Sequence, residues 1–290
     1  MNGAAGIVLA GGRSSRMGTS KAALEWHGST LLRQVTGVLD RAVTGPVIVV
    51  RAPEQKLPEL DPRVVVRDDP EEGHGPMQGL AVGLDTAHTY ADTAFVCSTD
   101  LPFLHTAFVH AVLRGFQLDR EQGEEAPIDV VLPLVHGYRQ PMAAGYRTGL
   151  APLVAQQLRT GRHKPAQLFE ECRVRRLTDE ELLTDPRLAR ADPELDSVVN
   201  VNTPEDYERA RARPAPEVTV ERFGVLATRG GTRGSVRVRA ATLAAAAEQV
   251  GLELDGHIVA AVNGDQIRDD GQCPLLGGDT VSFLSADAGG

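Results

Sequence analysis

Residues 9–21 read "LAGGRSSRMGTSK", Leu9 to Lys21, and follow the apolar residues Gly6-Ile7-Val8. A short apolar run that breaks into glycines reads as a buried strand entering a loop. Gly11, Gly12 and Gly18 let backbone N–H groups converge, and Arg13, Arg16 and Lys21 add three cations. That combination suits a polyphosphate, with arginine forking onto oxygens and lysine acting as a point charge. Lysine is scarce here: Lys21, Lys56 and Lys164 are the only lysines among 30 basic residues. The stretch is neither a GxxxxGK[ST] P-loop nor a GxGxxG dinucleotide fingerprint.

Outward from this loop, short apolar segments alternate with longer helical ones. Strands are expected at 5–9, 47–51, 64–67, 94–97 and 129–132, and helices at 30–43, 77–90 and 106–118. The alternation predicts an α/β fold: a Rossmann-like, mainly parallel sheet with helices on both faces. Ligands in such sheets bind at the carboxyl ends of the strands, where the glycine loop falls. A short helix from Pro204 to Arg211 precedes Arg-Pro-Ala-Pro-Glu (213–217), which reads as a linker. Beyond it the order is hairpin (218–223 and 235–238), alanine-rich helix (242–250) and strands at 258–262 and 280–284. The expected division is therefore 1–212, a linker at 213–217, and a small β-grasp (ubiquitin-like) module at 218–290.

The chain has 290 residues, ample for two domains, and 42% hydrophobic content. A net charge of −9 disfavours a general nucleic-acid surface. The N-terminus lacks the basic start of a signal peptide, no apolar run reaches membrane-spanning length, and a cytoplasmic protein is expected. Three separated cysteines argue for neither disulfides nor zinc, and the eight histidines show no metal-ligand spacing.

The loop resembles the LAGGxSxRMGxxK signature of the molybdenum cofactor guanylyltransferases. Its broader form, GGxxxRMGxxK, is shared with cytidylyltransferases and sugar-phosphate nucleotidyltransferases. The resemblance implies that Leu9, Ala10, Gly11, Gly12, Arg13 and Lys21 hold the nucleotide, with Arg16 and Lys21 neutralising charge in catalysis. Asp100-Leu101-Pro102-Phe103 matches the family's DxPF position, whose aspartate binds Mg2+; a turn aspartate shaping the corner is the plainer alternative. Val198–Asp206, "VVNVNTPED", matches NVNTPE, which implies Asn202 as a metal ligand and Asn200 near the second substrate. Locally, Thr203-Pro204 is also a good helix start.

Asp68 sits where the family has a nucleotide-contacting aspartate; a carboxylate can accept from guanine N1–H and N2–H2. Asp69 is the adjacent candidate. Gly75-Pro76-Met77-Gln78-Gly79 resembles the GPLAG turn near the ribose. Some members carry an asparagine after the second strand where this chain has Arg51, a departure that leaves that base contact unassigned. Tyr138–Arg147 resembles the QPxxALY stretch bordering the pterin, with Arg139 and Gln140 as candidates; Arg162, His163 and Lys164 form a second basic cluster. The implied reaction transfers GMP from GTP to molybdopterin, Mg2+-dependent, releasing pyrophosphate.

The segment "IVAAVNGDQI … PLLGGDTVSFLSADAGG" resembles the small, sulfur-carrying subunit of molybdopterin synthase. That resemblance implies a thiocarboxylate on the Gly289-Gly290 terminus and two partners, an adenylating sulfurtransferase and the large synthase subunit. The rival readings are a cytidylyltransferase, a sugar- or alcohol-phosphate nucleotidyltransferase, and a carrier or scaffold whose transferase domain is inactive.

Overall fold

A computed structural model describes residues 3–11, 20–70, 75–117, 127–227, 234–255, 257–267 and 271–286. Strand β1 (Ala4–Leu9) is buried along almost its whole length, as an apolar run must be when helices cover both faces of a sheet. A two-residue-armed hairpin follows, β2 (Glu25–Trp26) and β3 (Ser29–Thr30). The chain then forms α1 (Leu31–Ala42), β4 (Val47–Arg51), β5 (Val65–Asp68), α2 (Pro76–His88), β6 (Thr93–Ser98) and α3 (Thr106–Arg114). Next come β7 (Val130–Val135), β8 (Tyr138–Arg139), β9 (Ala143–Arg147), α4 (Ala151–Arg159) and α5 (Pro165–Leu168). Strand β10 (Val174–Thr178) and helices α6 (Asp179–Leu183), α7 (Pro186–Ala191) and α8 (Pro204–Arg211) complete this part.

The strand order is β10-β7-β9-β6-β1-β4-β5, with β8 paired to β7. The ladders are parallel except those of β9 with β6 and β7, and of β8 with β7. The mainly parallel sheet thus stands, with antiparallel β9 set into it and antiparallel β8 beside β7, neither of which the sequence pattern announced. Gly145 explains part of that silence: a Cβ there would come within 2.7 Å of the Phe116 ring, so β9 has a glycine where a β-branched residue would signal it. The expected strand at 129–132 runs on to Val135, and the expected helix at 106–118 ends at Arg114.

Alternation along β1 feeds two cores. Val8 joins Leu32, Val35 and Leu39 of α1 and Phe108 and Val112 of α3 on one face. Ile7 joins Met77, Leu80 and Leu84 of α2 and Val154 of α4 on the other. Helix α1 starts where the Thr30 hydroxyl accepts the Arg33 N–H at 3.3 Å, a cap that satisfies one orphan donor.

The remaining elements are β11 (Glu217–Arg222), β12 (Val236–Arg239), α9 (Leu243–Gln249), β13 (Ile258–Val262), β14 (Asp265–Ile267) and β15 (Thr280–Ser285). They form a second sheet in the order β12-β11-β15-β13-β14, in which β11 and β15 are parallel and the other pairs antiparallel. Val218, Val220, Leu243, Ala247, Val262 and Phe283 make its own core.

The second sheet's loop 274–279 sits against α1. Arg41 donates to the Pro274 carbonyl at 2.7 Å and pairs with Asp279 at 2.8 Å, both side chains largely buried. Asp279 also accepts from Asn263 Nδ2 and the Leu276 N–H, each at 2.7 Å. The approach is close enough that a Cβ on Gly37 would fall 2.4 Å from Pro274 Cδ. Leu276 itself is buried in the core that α1 and α3 share.

Candidate active site

Near the carboxyl ends of β1, β4 and β6 three of the predicted residues, Lys21, Asp100 and Asn202, come together. After Leu9 the chain leaves the sheet with the Ala10 and Gly11 N–H groups donating to the Val50 carbonyl, at 2.8 and 3.2 Å. A Cβ on Gly11 would lie 3.0 Å from the Ala52 nitrogen, so the loop starts hard against the β4 turn. Residues 12–19, with the expected Gly12, Arg13 and Arg16, lie outside the described residues, as do Gly289 and Gly290. The described chain resumes at Ser20, and Lys21 opens a single 3-10 turn to Ala23.

Lys21 Nζ donates to Asp100 Oδ2 at 3.0 Å and to Asn202 Oδ1 at 2.9 Å. Asp100 follows β6, and its other oxygen, Oδ1, accepts from Ser98 Oγ. Its backbone carbonyl accepts the Val201 N–H at 3.0 Å, which stitches the NVNTPE segment to the end of β6. Thr99 Oγ1 reaches back to the Leu9 carbonyl at 3.4 Å. Helix α8 holds Asn202 in place. Thr203 caps it and Asp206 reaches back to the Thr203 and Asn202 N–H groups at 3.1 and 3.3 Å, a capping box, with Pro204 in the first turn.

The 25–30 hairpin braces the same corner. Trp26 packs edge-on against Phe103, centroids 5.5 Å apart, and joins Leu31, Val201 and Ala210 in a small core. Tyr207 of α8 donates to the Glu25 carbonyl at 2.6 Å, and Arg211 pairs with the Glu25 carboxylate at 2.5 Å. Arg213 lies 4.3 Å above the Phe103 ring and bonds Asp196 at 2.6 Å.

The other predicted residues are spread more widely. Asp68, at the end of β5, pairs with its cross-strand neighbour Arg51 at 2.6 Å and stays more than half exposed. Asp69 donates its N–H to the Arg51 carbonyl at 2.7 Å, and its carboxylate lies over Gly79. Gly75 caps α2 with φ 71°, a conformation that favours glycine. Gly79 lies inside α2, where a Cβ would sit 3.2 Å from Leu9 Cδ2. Asn200 bonds the Val198 carbonyl at 3.0 Å, so the structure brings Asn202 but not Asn200 to Lys21. Arg139 and Gln140 lie on and after β8, with Gln140 bonded to the Tyr138 carbonyl at 3.3 Å. Arg162 pairs with Glu171.

Sequence reasoning missed Ser98, which fixes Asp100, and Gln55, which bonds the Ala10 carbonyl and Ser20 Oγ. Ser98 stands two residues before the Asp100–Phe103 motif; Gln55 belongs to no motif, and only the folded turn gives it meaning.

A lysine held by an aspartate and an asparagine near the carboxyl edge of a mainly parallel sheet suits a nucleotidyl-transferring enzyme. Residues 6–177 match the family model "MobA-like NTP transferase domain", and the chain belongs to that family. A Bacillus cereus relative named "Probable molybdenum cofactor guanylyltransferase" is 30% identical over 213 residues, 71% of this chain and 95% of that protein. A Bacillus mycoides relative of the same name is 28% identical, covering 73% and 97%. Molybdopterin-guanine dinucleotide biosynthesis protein A from Archaeoglobus fulgidus shares the fold with a TM-score of 0.55 at 22% identity, over 71% of this chain and 96% of that one. So does 2-C-methyl-D-erythritol 4-phosphate cytidylyltransferase from Thermus thermophilus, with a TM-score of 0.50 at 19% identity over 71% and 96%.

Proposed function

We propose that the chain transfers GMP from GTP to the terminal phosphate of molybdopterin, releasing pyrophosphate. The observation that carries this reading is the convergence of Asp100 and Asn202 on Nζ of Lys21, the residue that closes the glycine-rich stretch in sequence. The names of the Bacillus relatives support a guanylyl group and a molybdenum-cofactor acceptor.

In the reaction a phosphate oxygen bonds to the α-phosphorus while the bond from that phosphorus to the bridging oxygen breaks. The electron pair leaves with pyrophosphate, and an already anionic nucleophile needs no general base. Lys21 supplies fixed positive charge where the leaving group gains negative charge, and the loop aligns the chain of phosphates. Two oxygen donors already meet around one cationic nitrogen, within 3.0 Å, which is the hard donor set a magnesium ion takes. Among the described residues no group of three or more His, Cys, Asp or Glu could hold a metal, so phosphate and water oxygens would complete its shell. Asp100 and Asn202 would hold Mg2+, which polarises the phosphate when bound. Asp68 then accepts from the base edge. Arg139, Gln140 and Asn200 are assigned to the pterin.

Thermal unfolding with GTP, CTP, ATP and UTP, each with Mg2+, tests this. A ligand at ~100 times its Kd adds about 2.7 kcal/mol. A shift confined to GTP is expected; a CTP shift moves the protein to the cytidylyl class, and no shift overturns the transferase reading.

We further propose that 1–212 and 218–290 are separate domains joined by 213–217, the second a β-grasp sulfur carrier. Strand order β12-β11-β15-β13-β14, with a parallel central pair and helix α9 packed into its core, supports the β-grasp assignment. Incubation with ATP, an adenylating sulfurtransferase and a sulfur donor should convert the Gly290 carboxylate, by way of its adenylate and with loss of AMP, to a thiocarboxylate seen by intact mass; no shift overturns the carrier role.

A further inference from the structure

Gln55 stands in the turn after β4, outside every motif that the loop, Asp100 and NVNTPE contribute. An amide side chain has two N–H donors and one carbonyl acceptor. Here all three functions have partners. Gln55 Nε2 donates to the Ala10 carbonyl at 3.0 Å and to Ser20 Oγ at 3.2 Å. Its Oε1 accepts the Ala52 N–H at 3.0 Å. The backbone of the same residue is held as well, its N–H donating to the Ala52 carbonyl at 3.1 Å and its carbonyl accepting from Arg51 Nη1 at 3.1 Å.

The two donors therefore go to opposite ends of one segment. Ala10 is the residue before the glycines, and Ser20 is the residue before Lys21. The entry is anchored independently, because Ala10 and Gly11 both donate to Val50. Gln55 ties the exit to that anchor. Fixing the distance between the ends of a loop removes conformations that a ligand would otherwise have to remove on binding. Arg51 carries the same turn on to Asp68, so the phosphate side and the base side of the cleft rest on one short piece of backbone.

We propose that Gln55 is a positioning residue that sets the span of the phosphate-binding loop, touching neither the nucleotide nor the metal. The inference rests on the loop's being an anion site, as in the function proposed above.

Calorimetric titration of the full chain with GTP and, separately, with inorganic tripolyphosphate tests it. Gln55→Ala is expected to weaken both ligands about tenfold, as two preorganising hydrogen bonds are lost. Gln55→Glu keeps the acceptor for Ala52 but has no donor for Ala10, so it should behave like Gln55→Ala. Ser20→Ala, losing one bond of the two, should fall between. In steady state KM for the nucleotide rises while kcat changes less, the pattern of lost ground-state organisation. The ligand-free melting temperature of Gln55→Ala should stay close to that of the wild type.

Unchanged affinity in Gln55→Ala overturns the proposal. So does weakening that merely follows a lower ligand-free melting temperature, because that marks a folding defect. If the wild-type chain binds tripolyphosphate but not GTP, the nucleotide reading fails while the tripolyphosphate titrations still decide the role of Gln55. Binding of neither ligand by the wild type removes the anion site and the proposal with it.

Discussion

Lys21 draws its two partners from far along the chain, Asp100 at a separation of 79 residues and Asn202 at 181. All three were legible because each sits in a stretch whose local chemistry is unusual: cations among glycines, an aspartate just past a buried strand, asparagines before a capped helix. Gln55 and Ser98 were not legible, since a glutamine in a turn and a serine at a strand end have no local signature. Removing the charge in Lys21→Ala should cut kcat by ~10²–10³, the size seen when one preorganised electrostatic contact is lost. Asp100→Asn should cut it at least as far and shift the Mg2+ concentration needed for half-maximal rate. Pyrophosphate-release assays across a magnesium titration read both; retained activity in either variant removes that residue from the reaction.

Helix α3 begins at His105, whose Nδ1 accepts the Ala107 N–H at 3.1 Å. Burial pushes His105 below the usual histidine value of 6.5; Asp279 and Asp192 nearby work against that, while Arg41 reinforces it. The folded state therefore resists the proton that the unfolded chain accepts. Stability is full above about 6.5 and declines as pH falls from there through the lower folded value. His105→Asn retains a cap without titrating, and should flatten this decline in denaturant midpoints measured between pH 5 and pH 7.5. His27 and His110, also lowered by burial, keep part of the slope. An unchanged slope would mean that His105 is not the source. Helices such as α1 and α8 were readable from caps and apolar spacing. Strand β10, Val-Arg-Arg-Leu-Thr, was not, because a half-polar strand near the sheet edge looks like a loop.

The seam between the two sheets was invisible to the sequence, since Arg41 belongs to no motif, Asp279 stood only inside the segment that resembles the sulfur carrier, and their pairing depends on docking. Removing one member of a buried pair leaves the other charge uncompensated and costs about 3–5 kcal/mol in general. Arg41→Ala is expected at the low end, because Asp279 keeps Asn263 and the Leu276 N–H. Leu276→Ala, which empties a site in the α1–α3 core, should cost about 2–5 kcal/mol. Equilibrium denaturation reads both, and near-wild-type midpoints would show that the seam is energetically idle.

The distance in sequence between Lys21 and Asn202 has a consequence during synthesis. A ribosome extends the chain by about 5–20 residues each second. The glycine loop thus emerges roughly ten to forty seconds before its asparagine partner has been made. By the end of that interval the nascent chain has β1, β4 and β6 but still lacks the segment that brings Asn202 to Lys21. Chains arrested before residue 200 should accordingly lack Mg2+-dependent nucleotide protection against proteolysis, and chains arrested well past α8 should gain it.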